Sequence, residues 1–253
     1  MLQSLGWAAL GTGFTFLMTT LGAAMVFFFA GEPRPHFQKT LLGFAAGVMT
    51  AASVWSLLLP AIDRAAEEAL PDWLPAAGGM LLGVVFLSAL DALLPHLRRD
   101  RARQDASWRQ TTLLMTAITL HNVPEGMAVG LAFALASGGE GFAGAAALAM
   151  GIGIQNFPEG AAVALPLRQG GWSRPRAFAG GMLSGAVEPV FGVLAALAAA
   201  GVDPLMPWLL SFAAGAMLYV VVEELIPQAH SRAGTCGFVL GFLVMMVLDV
   251  ALG

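Results

Sequence analysis

The chain is poor in charge and in the residues that soluble enzymes rely on. Only 11% of its 253 residues are Asp, Glu, Lys or Arg, against about 25% in an ordinary soluble domain. Its one cysteine, Cys236, leaves no disulfide framework and no cysteine-rich metal site. Its one lysine, Lys39, sits in no Gly-rich loop, so a phosphate cradle and ATP drive within this chain are not expected. No HExxH metalloprotease run is present. The opening MLQSLGW has no basic residue and leads into an apolar run too long for a cleaved leader, so a signal peptide is not expected.

Apolar sequence takes up the rest. Hydrophobic residues make up 58% of the chain and mean hydropathy is +0.77. Eight apolar runs follow one another, near 5–29, 40–62, 74–96, 110–135, 143–167, 176–200, 205–228 and 234–252. About 20 such residues at a rise of 1.5 Å cross a hydrocarbon core of about 30 Å. Helices are the only open segments whose backbone groups satisfy themselves there. The expected fold is an all-α polytopic membrane protein of eight transmembrane helices. It forms a single domain over 1–253, with almost no chain left for a soluble one.

Basic residues orient it. With eight spans, the ends and loops after spans 1, 3, 5 and 7 share a side and hold 11 of the 12 Lys and Arg; Arg64 is the exception. The positive-inside rule makes that side cytoplasmic and places both termini outside. An Arg-rich cytoplasmic loop is expected at about 97–109. Five Gly-x-x-x-Gly patterns, Gly43/Gly47, Gly79/Gly83, Gly126/Gly130, Gly181/Gly185 and Gly237/Gly241, suggest closely packed helices that can slide.

Within the spans lie Asp91, Glu125, Glu159, Glu188, Glu223, Glu224, Asp249 and His121, but no Lys or Arg apart from Arg176 at the very edge of span 6. A carboxylate at mid-membrane costs roughly 2.5–3.5 kcal/mol on insertion scales. Each must be protonated, hydrated, or neutralised by a cation that is not part of the chain. Seven acids without a base point to a cation pathway. Glu125, Glu159 and Glu188 fall near the middle of spans 4, 5 and 6 and so form one layer. His121 and Glu125 are four apart on one helix face, as are Gln155 and Glu159, with Asn122 and Asn156 one position round. Imidazole, carboxylate and amide donors without thiolate suit Zn²⁺ and other borderline divalent ions.

Prolines accompany these acids. Pro124 and Pro158 remove an amide donor and are expected to kink helices 4 and 5 at the ligands; Pro189 follows Glu188, and Pro227 frees the carbonyl of Glu223. Irregular backbone at this depth is tolerated where it lines a cavity. Asp249 and Asp63 mark the outer side of the pathway, and Asp91, Glu223, Glu224 and His96 the inner side. His230 stands at the cytoplasmic edge. The plainer reading of Asp63, His230 and Asp249 is interfacial groups reaching for water, and of His36 a solvated loop residue.

The run His121-Asn-Val-Pro-Glu-Gly126 and its echo Gln155-Asn-Phe-Pro-Glu-Gly160 carry a family likeness. They resemble the ZIP (Zrt/Irt-like protein) divalent-metal transporters, in particular the bacterial GufA-type branch. VVEELIP at 221–227 and the terminal LDVALG look like that branch too. The resemblance covers the whole chain and implies a two-metal site. His121, Glu125, Gln155 and Glu159 would form one position. Asn122, Asn156 and Glu188 would form the other, bridged by Glu125 and Glu159. It also implies a homodimer and an elevator-like motion of spans 1, 4, 5 and 6 against 2, 3, 7 and 8. Where many relatives have His, this chain has Gln155, and three carboxylates against two divalent ions leave positive charge uncancelled. The 3–4 loop lacks a histidine-rich segment.

The expected activity is Zn²⁺ uptake, with Cd²⁺, Fe²⁺ and Mn²⁺ as further substrates, and no cofactor. Its partners are the ion and the lipid bilayer, with no nucleic acid. The strong bias to Arg over Lys, 11 to 1, with much Ala and Gly, suggests a bacterial plasma membrane. Two rivals are an intramembrane two-metal enzyme, which lacks a spare base or nucleophile, and a proton-coupled carrier of an organic solute.

Overall fold

The computed structural model describes residues 2–28, 35–66, 71, 73–98, 106–136, 141–201 and 203–252. Inside the helices, the side chains of Asp91, His96 and His121 also lie outside the described residues. So does most of the expected Arg-rich loop. Every regular element among the described residues is helical: α1 Leu2–Ala24, α2 Pro35–Ala52, α3 Leu59–Ala65, α4 Trp73–Arg98, α5 Ala106–Leu135, α6 Phe142–Gln169, α7 Arg174–Gly185, α8 Val187–Gly201, α9 Met206–Val220, α10 Ile226–Ala229 and α11 Arg232–Leu252.

These elements join into rods that track the apolar runs. A wider π-helical stretch, Ser53–Leu58, links α2 to α3, and a second, Val221–Leu225, links α9 to α10. Each runs up to a proline, Pro60 or Pro227, whose missing amide donor disfavours regular α-helical bonding to the turn before it. The α7–α8 rod breaks at Ala186, which places Glu188 in the first turn of α8, directly before Pro189. By contrast, α5 and α6 remain helical through Pro124 and Pro158.

Among the described residues six rods are long and apolar enough to cross a membrane: Gln3–Phe27, His36–Ala65, Trp73–Leu90, Arg174–Ala199, Met206–Ala229 and Arg232–Ala251. The other two long helices, α5 and α6, are those that carry the polar motifs. In α6, Gln155, Asn156 and Glu159 dilute the apolar stretch that would otherwise qualify. Leu81, Leu82, Val85 and Phe86 on α4 are exposed, as are Val239, Leu240, Leu243 and Val247 on α11. Such outward apolar faces suit lipid. The chain is a multi-pass membrane protein.

Glycine decides which helices touch closely. All five Gly-x-x-x-Gly pairs sit at helix contacts. Gly43 and Gly47 of α2 seat on Gly234 and Phe238 of α11, and Gly237 and Gly241 of α11 seat on Thr40 and Phe44 of α2. Gly83 of α4 meets Phe212 of α9, and Gly130 of α5 meets Gly192 of α8. A Cβ at any of these would overlap backbone. Among the described residues, every such glycine-on-backbone contact between helices falls inside one of two sets. One set is α1, α5, α6, α7 and α8; the other is α2, α4, α9, α10 and α11. Between the sets, Gly151 of α6 meets only side chains, Met245 and Val48. The glycine faces therefore join helices within a set.

Candidate metal centre

α5, α6 and α8 are brought to one depth by the glycine of each Pro-Glu-Gly run. A Cβ at Gly126 would lie 2.6 Å from the Cα of Glu188, so only glycine lets α5 approach α8 at that residue. A Cβ at Gly160 would overlap the carbonyl of Thr19 and lie 2.9 Å from the amide nitrogen of Ala23, which sets α6 against α1. Gly185 gives room at the same level, since a Cβ there would meet the Thr19 side chain at 2.9 Å and Glu188 Oε1 at 3.0 Å.

The polar layer that results is sealed. Asn122, Glu125, Gln155, Asn156 and Glu188 are fully buried, and Glu159 is 8% exposed. Gln155 Nε2 donates to Glu125 Oε1 at 2.7 Å, Asn122 Nδ2 to the Ser184 carbonyl at 2.8 Å, and Asn156 Nδ2 to Glu188 Oε2 at 2.9 Å. Thr19 Oγ1 donates to Glu188 Oε1 at 3.1 Å. Each amide nitrogen thus has an acceptor. The oxygens of the same groups do not have donors: Asn122 Oδ1, Glu125 Oε2, Gln155 Oε1 and Asn156 Oδ1 are buried without a hydrogen-bond partner. Most buried polar atoms are satisfied, and an unsatisfied one costs about 1–3 kcal/mol, more for a charged group. Among the described residues the layer holds no cationic side chain, and the acceptors it leaves open are carboxylate and amide oxygens, which a divalent cation can use.

The structure therefore brings together Asn122, Glu125, Gln155, Asn156 and Glu188. Glu159 stands at the head of a narrow crevice of about 50 Å³ between α2 and α6, lined by Gln38, Leu41, Leu42, Ala45, Pro158 and Leu165 among others. That crevice lies toward the end of α6 that carries Arg168. Among the described residues no three His, Cys, Asp or Glu side chains converge as a ready metal group. Carboxylates here alternate with amides, and the His121 side chain is outside the described residues.

A second cavity, of about 410 Å³, lies at the opposite end between the α2–α3 rod, the α5–α6 turn and α11; Trp55, Ser56, Asp63, Gly144 and Asp249 line it. Ser56 Oγ donates to Asp249 Oδ1 at 2.5 Å, and Asp249 Oδ2 is buried without a partner. Asp63 is exposed in the same cavity. Glu223 is exposed and Glu224 half-buried on the Val221–Leu225 stretch, and neither lines either cavity. Asp91 and His96 fall outside the described side chains. His230 is exposed between α10 and α11, where its carbonyl accepts from Lys39 Nζ at 3.2 Å. His36 is exposed too, but lies in the first turn of α2 rather than in a loop.

Three contributors were missed in the sequence: Thr19, Ser184 and Ser56. Thr19 had a signal. Thr12, Thr15, Thr19 and Gly22 recur at three- and four-residue spacing on span 1, and all three threonines are buried. Ser184 donates nothing to the layer from its side chain; its carbonyl accepts from Asn122, which no side-chain pattern announces.

The sequence is similar to those of known zinc transporters. The family described as ZIP Zinc transporter matches residues 99–249. Zinc transporter ZIP11 of Homo sapiens is 38% identical over 333 aligned positions, covering 97% of this chain and 97% of that protein. Zinc transporter GufA of Myxococcus xanthus is 39% identical, covering 93% of this chain and 94% of that protein. Zinc transporter ZIPB of Bordetella bronchiseptica is 38% identical, covering 98% of this chain and 82% of that protein.

Proposed function

The chain belongs to the ZIP zinc transporter family, whose members are transporters rather than enzymes, and from that premise we propose that it carries Zn²⁺ into the cytoplasm through the buried polar layer. One observation carries the reading: four buried acceptor oxygens without partners lie in a layer whose spans hold no Lys or Arg in their interiors. His121, Glu125, Gln155 and Glu159 take the ion, replacing its water with imidazole, carboxylate and amide. Asn122, Asn156 and Glu188 complete the layer. Cd²⁺, Fe²⁺ and Mn²⁺ share enough of this donor chemistry to follow.

The route has two ends. Asp249, Ser56 and Asp63 form an outer vestibule that concentrates cations. The crevice below Glu159 opens toward the arginine-bearing end, and Asp91, His96, Glu223 and Glu224 receive the ion beyond it. Eight crossings, with α5 and α6 as the fourth and fifth, put both termini outside and the 97–109 arginines in the cytoplasm. Pro124 and Pro158 loosen α5 and α6 beside the ligands. The two glycine-joined sets act as rigid bodies, and the set that holds the layer moves against the other in an elevator-like step. The membrane potential favours inward movement by about 2.3 kcal/mol per charge per 100 mV. The protein works as a homodimer in a bacterial plasma membrane, the residence that its Arg-over-Lys bias supports.

The test is Zn²⁺ uptake into proteoliposomes holding the purified protein, wild type beside Glu125→Ala and His121→Ala. Uptake by wild type that collapses in Glu125→Ala is expected. Tight Zn²⁺ binding without flux would overturn the carrier reading and favour the metalloenzyme.

A further inference from the structure

Thr19 lies outside both Pro-Glu-Gly runs, yet its hydroxyl faces two acceptors. One is the Thr15 carbonyl of its own helix at 3.3 Å, and the other is Glu188 Oε1 on α8 at 3.1 Å. A hydroxyl has one proton to give, so turning the O–H passes it from one acceptor to the other. Thr12 and Thr20 donate to carbonyls of α1 itself, the usual resting place of a helical threonine. Thr15 stands beside Glu188 as well, but its hydroxyl donates to the Thr12 carbonyl at 3.0 Å. The place of Thr19 is fixed by two glycines. A Cβ at Gly160 would overlap its carbonyl, and a Cβ at Gly185 would press on both its side chain and Glu188 Oε1.

A carrier has to bring its site back empty, and the loaded and empty crossings differ in what meets Glu188. With an ion aboard, the layer holds a cation. Without one, it holds a carboxyl that is fully buried. Where the layer opens to either side of the membrane, water can donate to that carboxyl. While it is closed only the chain can, and an unmet buried acceptor costs free energy. Only a donor that acts in the closed, empty layer and not in the loaded one speeds the return alone. Thr19, Asn156 and Glu188 stand on α1, α6 and α8, within one glycine-joined set, so the donors travel with the carboxyl they serve. We propose that Thr19 is a positioning residue for the empty return: it donates to Glu188 when the ion has left and turns back to Thr15 when an ion takes the carboxyl. Giving up Glu188 exchanges one acceptor for another, so the hydroxyl supports the return without holding the ion off. The inference rests on the carrier reading above and adds to it a residue that need not touch the ion.

The experiment places the full-length protein in proteoliposomes and follows radioactive Zn²⁺ in two modes. Net uptake into vesicles without internal Zn²⁺ requires the empty return. Exchange against Zn²⁺ held inside does not. Thr19→Val removes the hydroxyl and keeps the shape, and Thr19→Ser keeps the hydroxyl. Thr20→Val is the control, because the Thr20 hydroxyl donates within α1, to the Phe16 carbonyl at 2.9 Å. Thr19→Val is expected to lower the Vmax of net uptake on the order of 10-fold, with a KM no higher than that of wild type and exchange near the wild-type rate. Thr19→Ser is expected to restore net uptake, and Thr20→Val to leave both modes as they are.

Equal losses in both modes, a raised KM with Vmax kept, or net uptake unchanged in Thr19→Val would overturn the role given to Thr19 and leave the carrier standing. A Thr19→Ser variant with the same selective loss as Thr19→Val would overturn it too, since the donor is still present. No Zn²⁺ movement by wild type in either mode would sink the carrier reading, and this inference with it. Where Thr19→Val does not fold, Thr19→Ala and Thr19→Cys, which remove or weaken the same donor, are read by the same ratio of net uptake to exchange.

Discussion

Replacing Gly160 by alanine probes the contact that holds the polar layer together. The added Cβ would overlap the Thr19 carbonyl and come within 2.9 Å of the Ala23 nitrogen. Carbon needs about 3.5–4.0 Å, so α1 has to move away from α6 by roughly 1 Å. Overpacking of this kind costs about 1–3 kcal/mol. The same shift stretches the Thr19 to Glu188 bond from 3.1 Å past about 3.6 Å, where it ceases to be one. A hydrogen bond contributes about 0.5–1.5 kcal/mol. The combined loss is therefore on the order of 2–4 kcal/mol. At about 2–4 °C per kcal/mol for a chain of this size, the melting midpoint should fall on the order of 10 °C. Thermal unfolding in detergent, followed by tryptophan fluorescence, measures it. Gly13→Ala on α1 is the matched control, because a Cβ there meets nothing within 4 Å. A Gly160→Ala midpoint indistinguishable from that of Gly13→Ala would refute the close packing.

Two further outcomes follow from the vestibule and the ligand chemistry. Asp249→Asn keeps a partner for Ser56 but removes the buried charge at the mouth, so the KM for Zn²⁺ should rise on the order of 10-fold at low salt with Vmax little changed; a fall in Vmax at constant KM would place Asp249 in the translocation step instead. Acidification should weaken uptake, because carboxylate and imidazole ligands such as those proposed at Glu125, Glu159 and His121 bind metal only when deprotonated, so that binding releases protons. Uptake rates across a pH series at fixed free Zn²⁺ check this, and a rate that climbs as pH falls, with no imposed proton gradient, would contradict it.

Much of the site could be read along the chain because its parts repeat locally. His121 with Glu125 and Gln155 with Glu159 are separated by one helical turn, so helical periodicity alone puts each pair on one face. Proline and glycine flank the acids in both runs, and hydropathy marks the rods around them. The partnership of Thr19 with Glu188 could not be read this way, since 169 residues separate the two. Nor could the Asn156 bond to Glu188, which depends on how α6 and α8 are rotated about their axes. The glycine pairs were visible as pairs, but which helices they join was not, and they proved to bind helices within sets.

By itself the sequence determined the helical rods, the expense of leaving seven acids without a base in apolar spans, and the donor types offered to an ion. Those follow from composition and the 3.6-residue period. Only the tertiary structure decided which oxygens are spent on hydrogen bonds and which stay bare. That choice is made where Gly126 and Gly160 let α5, α6, α8 and α1 close to backbone contact, and side chains far apart in the chain meet fully buried.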